Sequence, residues 1–79
     1  MKTIFDVYVE MDSQATCDRM KQLCVDNKLM YFDTTKSFIL GDLNHFGEYR
    51  GVFGLWSLTN KTKATETEFI ELLKQYKDV

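Results

Sequence analysis

The hydrophobic pattern of this chain changes period near residue 12, and that change constrains the fold more than any other feature. Between residues 3 and 11 the side chains alternate. Phe5, Val7, Val9 and Met11 point one way, and Ile4, Asp6, Tyr8 and Glu10 the other. A period of two in β-branched and aromatic residues predicts a half-buried strand. Asp12 and Ser13 then offer N-cap oxygens. Over residues 14–27 the period becomes helical, with Thr16, Cys17, Met20, Leu23 and Cys24 on one stripe and Asp18, Lys21, Gln22 and Asp26 outside it. Asn27 is placed to end this helix in left-handed conformation, which Asn tolerates better than most residues. A strand that feeds a capped amphipathic helix calls for a sheet on which the helix can lie.

The rest of the chain supplies that sheet. Residues 30–33 read as a second strand, 34–36 as a turn and 37–40 as a third strand. Residues 41–51 contain three of the four glycines, with Asp42, Asn44 and Glu48 among them, and read as the one long loop. Residues 52–58 form the fourth expected strand, with Val52, Gly54, Trp56 and Leu58 on one face and Phe53, Leu55 and Ser57 on the other. The first face is expected beneath the helices, with Gly54 marking a close backbone approach. After a polar turn at 59–63, Thr65 and Glu68 make a capping box. Phe69, Leu72, Leu73 and Tyr76 then supply a second helical stripe. The expectation is one α+β domain over residues 1–79, of order βαβββα. It has a mostly antiparallel four-stranded sheet and two helices packed on one face. Its first two strands run parallel through a right-handed crossover.

Size and composition narrow the function. A chain of 79 residues buries roughly 60% of its unfolded surface, which is enough for one thin core. A closed substrate pocket of roughly 300 Å³ would have to be cut from that same core, so a monomeric enzyme is disfavoured. The net charge is −2 and no polybasic run occurs, so the electrostatic footprint of nucleic-acid binding is missing. Residues 50–56 do resemble the RNA-contacting strand of RNA-recognition motifs. That strand carries aromatics at its third and fifth positions, however, where this chain has Val52 and Gly54. No apolar run approaches the roughly 20 residues of a membrane span, and Asp6 interrupts any signal-like apolar start. A cytoplasmic protein with no membrane attachment is expected.

The residues that could carry chemistry are few. Cys17 and Cys24 lie about 10.5 Å apart along one helix, too far for a disulfide, and are read as buried structural thiols. His45 is the one histidine, and it has neither a nucleophile pattern nor enough companion ligands for a metal. No catalytic residue, cofactor or metal is expected. The eleven aromatic residues exceed what one thin core hides. Those around residues 41–51 therefore suggest either a contact surface or a second small core beneath the loop. Aromatics beside an arginine have the composition of a protein-contact hot spot. Tyr31, His45, Phe46, Tyr49, Arg50 and Phe53 are accordingly the candidate partner-binding residues.

The cadence of the whole chain adds one more expectation. An opening strand and helix are followed by a short aromatic hairpin over 29–40, then Phe53, Gly54, Leu55 and Trp56, then a polar run at 60–65 leading into Glu68, Phe69 and Ile70. This resembles small uncharacterised proteins encoded by bacteriophages and prophages. The resemblance implies an accessory protein that binds a host protein. The expected function is thus a non-enzymatic interaction module, an inhibitor or adaptor acting through the sheet face or the 41–51 loop. A homo-oligomeric structural subunit and a weak nucleic-acid binder are the alternatives.

Overall fold

Hydrogen bonds at the start of the chain set the phase of the first strand. The computed structural model describes residues 2–33, 38 and 44–77. Thr3 and Asp6 form a capping box: the Asp6 carboxylate accepts from the Thr3 amide at 2.7 Å, and Thr3 Oγ1 accepts from the Phe5 amide at 3.3 Å. The Asp6 carboxylate also accepts from the Thr3 hydroxyl at 3.0 Å, and the two bonds it accepts from Thr3 hold its carboxyl below the ordinary pKa. They also wind Ile4–Asp6 into a 3₁₀ turn. The alternation expected from residue 3 therefore begins only at β1 (Val7–Glu10). Ile4 takes the inward place at 1% exposure, and Phe5, expected inside, is 41% exposed and packs edge-on against Tyr76 at 5.2 Å.

The first helix matches its sequence signals closely. In α1 (Gln14–Asp26), Ser13 caps the first turn by accepting from the Thr16 amide. Thr16, Cys17, Met20 and Cys24 are buried and Leu23 is half-buried. At the other end Asn27 keeps φ −101° and donates its side-chain amide to the Leu23 carbonyl at 2.8 Å. The left-handed residue is Lys28, at φ +56°.

The element order βαβββα is as expected, but two of the strands come from other segments. β2 (His45–Tyr49) forms where the long loop was expected, β3 is Val52–Trp56, and β4 (Thr62–Ala64) occupies part of the expected polar turn. The sheet order is β3-β2-β1-β4. The β1–β2 and β2–β3 pairs are antiparallel and β1–β4 is parallel, so the sheet is mixed. Of the strand expected at 30–33, only Tyr31 pairs, through a parallel bridge to Phe53. Phe38 is helical and packs half-buried against the core. The remainder of the strand and turn expected over 34–40, with Gly41 and Asp42, lies outside the described residues.

α2 (Glu66–Lys77) starts at the expected capping box, with the Glu68 amide bonded to Thr65 Oγ1 at 3.1 Å and the Thr65 amide to Glu68 Oε1 at 3.2 Å. Phe69 and Leu73 turn inward, and Phe69 meets Phe46 at 5.7 Å and Phe53 at 6.3 Å between ring centroids. One cluster joins Val7, Val9, Phe46, Phe53 and Leu55 of the sheet to Cys17, Met20 and Cys24 of α1 and to Phe69 and Leu73 of α2. Both helices therefore cover the same sheet face. Arg19 ties them at the rim, donating through Nε and Nη2 to the two Glu66 oxygens at 3.1 and 2.9 Å.

The connection from β3 to β4 is unusual because these strands are the two edges. Residues 57–61 cross the face away from the helices, where Leu58 is 2% exposed and covers Gly47. A Cβ on Gly47 would lie 2.7 Å from Leu58 Cδ1 and 3.2 Å from the Val7 carbonyl oxygen. The link is pinned at its end by Lys61, whose ammonium bonds the Glu48 carbonyl oxygen and its carboxylate, while that carboxylate also accepts from the Gly51 amide at 2.7 Å. A helix layer, a sheet and a short strap result.

Phe46 is wholly buried at the centre of the helix side. Phe46→Ala is expected to cost about 3–5 kcal/mol in urea unfolding. A loss below about 1 kcal/mol would show that the core does not centre on this ring.

Candidate functional site

The strap covers the outer sheet face only in part. The alternation of β2 and β3 sends His45, Gly47 and Tyr49, and Val52, Gly54 and Trp56, away from the helices. Leu58 fills the place over Gly47. Trp56 folds back along its own strand across Gly54, so that its indole N–H donates to the Val52 carbonyl at 3.2 Å. A Cβ on Gly54 would stand 3.6 Å from that nitrogen and 3.4 Å from Phe32 Cβ. Gly54 thus admits the Phe32 backbone, as a close approach requires, together with its own strand's indole, but it does so on the outer face and not beneath the helices as expected.

The result is a row of rings along the β3 edge. Phe32 meets Trp56 edge-on at 5.2 Å, and Trp56 meets Tyr49, tilted by 45°, also at 5.2 Å. The Arg50 guanidinium lies over the Tyr49 ring, 5.1 Å from its centroid. Phe32 is 56% exposed and Tyr49 44%. A shallow cavity of about 230 Å³ opens between Tyr49, Trp56 and Ser57. With the indole N–H already bonded, the Trp56 ring offers this surface apolar area only.

The turn that carries Arg50 is strained. β2 and β3 are joined by Arg50 and Gly51 alone, and both have positive φ, +53° and +86°. This is the signature of the tight hairpin turn whose first position favours Asn, Asp or Gly. Gly51 adopts the conformation freely, whereas for a side chain such as arginine it costs about 1 kcal/mol or more. The guanidinium is placed over Tyr49 despite that cost.

The six candidate residues separate into distinct environments. Tyr49 and Arg50 are exposed in the aromatic row. His45 is half-buried on the same face, its ring 4.3 Å from that of Tyr8, with Nδ1 buried and without a hydrogen-bond partner among the described residues. Tyr31 is half-buried at its bridge to Phe53. Phe46 and Phe53, at 0% and 3% exposure, belong to the core beneath the helices, which corrects the expectation that they contribute to a contact surface. Trp56, Val52 and Leu58 likewise reverse their expected side, since Phe53 and Leu55 face the helices in their place. Phe32 and Trp56 were not among the candidates. Their signal was the glycine pair Gly47 and Gly54, adjacent across the strands, which leaves room for side chains arriving from elsewhere.

The remaining chemistry-bearing groups are committed to structure. Cys17 and Cys24 are buried, and burial pushes the Cys24 thiol up to about 12, out of reach of ionisation near neutrality. A wider groove of about 530 Å³ lies between the ends of β1 and β4 and the starts of both helices. Its polar groups are engaged with one another: Thr16 with Asp12, Thr65 with Glu68, Lys63 with Glu10. Among the described residues no group of three or more His, Cys, Asp or Glu side chains is placed to hold a metal ion, and no helix is long and apolar enough to cross a membrane.

The strain at Arg50 has a measurable sign. Asn suits the first position of this turn, and the exposed contact with Tyr49 contributes only about 0.5–1 kcal/mol. Arg50→Asn is therefore expected to raise the unfolding free energy by about 0.5 kcal/mol, seen as a higher melting temperature. A clear loss of stability would show that the guanidinium is held for the fold. Compared with known proteins, the chain matches no family model, no curated protein and no solved structure.

Proposed function

We propose that this chain is a non-enzymatic protein-interaction module, an inhibitor or adaptor, that binds a partner protein through the outer sheet face around Tyr49 and Trp56. The observation that carries this reading is the row Phe32–Trp56–Tyr49 capped by a strained Arg50. Trp, Tyr and Arg are the side chains that dominate interface hot spots, because each offers a large contact area at small entropic cost. A ring row left exposed in so small a domain is costly unless a partner covers it. Backbone strain held at the same place supports the same reading, since strain persists where something other than stability selects it. The resemblance to phage-encoded accessory proteins makes a host protein the natural partner class.

The test uses the two most exposed rings. Chemical cross-linking in the native host is expected to capture a defined partner with the wild-type chain and to lose it with Phe32→Ala plus Tyr49→Ala. Two such contacts are worth several kcal/mol, or more than about a hundredfold in affinity. The double variant should melt within a few degrees of the wild type, because both rings are exposed. Capture that survives at full strength in the folded double variant would move the contact surface elsewhere.

A further inference from the structure

We infer that the outer-face site takes a peptide segment carrying an acidic side chain, Asp or Glu, next to an apolar or aromatic one. This rests on the outer face being a protein-contact surface, and it specifies what that surface recognises.

Three features of the site set this chemistry. The cavity of about 230 Å³ between Tyr49, Trp56 and Ser57 is walled by two aromatic rings. Because the indole N–H is engaged by the Val52 carbonyl, a polar group buried against Trp56 would lose its water and gain no bond there. An apolar side chain suits this cavity. Beside it stands the Arg50 guanidinium, which forms no ion pair among the described residues and lies over the Tyr49 face. The cations of the strap and of β4 already have carboxylate partners, Lys61 in Glu48 and Lys63 in Glu10. One planar cation therefore awaits one carboxylate at the edge of an apolar cavity.

The same count selects a peptide over a nucleic acid. A single-stranded nucleic acid could stack on these rings, but it brings a phosphate with every nucleotide and needs a groove of cations to track its backbone. Among the described residues of this face the cation on offer is single, and the chain's net charge is −2. For a peptide carboxylate the overall negative charge matters little, since it is screened beyond about 8 Å at physiological salt. The contact with Arg50 is local and can be bidentate.

Selection from a displayed library of random peptides, using the full chain, tests the inference. Wild-type protein is expected to enrich segments with Asp or Glu within a few residues of an aromatic or large aliphatic side chain. Arg50→Glu should weaken the selected peptides at least tenfold and select Lys or Arg in the acidic position instead. Arg50→Gln should weaken them without selecting a basic replacement. Melting temperatures of both variants establish that they are folded before binding is compared. Enrichment of apolar segments with no acidic preference, or an Arg50→Glu variant that binds the same peptides equally well, would overturn the acidic specificity and leave a protein-contact face intact. If no peptide is enriched, and an oligothymidine strand instead shifts the amide resonances of Tyr49 and Trp56, both the inference and the protein-contact reading fall.

Discussion

The contact of Leu58 with Gly47 is the constraint on which the rest of the arrangement depends. β3 and β4 lie at opposite edges of the sheet, and only five residues, 57–61, connect them. A link this short has no room for a crossover helix and must lie directly on the strands it passes. A side chain at position 47 would stand in its way, since a Cβ there would meet both Leu58 and the Val7 carbonyl oxygen. Glycine at the middle of the strand next to the sheet's centre removes the obstacle. Leu58 then buries itself on the outer face, and Lys61 fastens the far end of the link to Glu48. This crossing delivers β4 to the free edge of β1, and α2 to the core.

The strap also decides what the outer face can do. It seals the part over Gly47 and leaves the β3 side open, where Phe32, Trp56, Tyr49 and Arg50 gather. The helix side holds the apolar residues that stabilise the domain, so the exposed rings make only a small contribution to the core. Stability is thereby assigned to the helix side and the strap, and recognition to the part of the outer face that the strap leaves open.

The parts legible in the sequence were those with local causes. Both helices announced their caps, Ser13 and the Thr65–Glu68 box, and the buried part of their stripes, although Tyr76 of the second stripe is exposed. The inward side of β1 could be read from Val7, Val9 and Met11. The strands that escaped reading have tertiary causes. His45–Tyr49 contains a glycine and a glutamate at places where a strand interior usually carries β-branched residues, and it resembles a loop. It is a strand because it pairs on both sides and because Gly47 receives Leu58. Thr62–Ala64 is too short and polar to show a pattern, and exists through its register with Val7–Val9. The inside and outside of β3 were interchanged for a related reason. Trp56 was the obvious core residue by size, but its indole finds its bond and its space on the outer side, over Gly54. Of the candidate site, Tyr49 and Arg50 were legible from composition, while Phe32 and Trp56 needed the fold to bring them beside those two.

The dependence on the strap is tested most directly by a double-mutant cycle between Gly47→Ala and Leu58→Ala, with unfolding free energies measured in urea. If Leu58 rests on Gly47, the new methyl is costly mainly because Leu58 occupies its place. The expected result is that Gly47→Ala costs at least about 1 kcal/mol less in the Leu58→Ala background than in the wild type. Costs that add to within about 0.3–0.5 kcal/mol would contradict the contact, and with it the route by which β3 reaches β4.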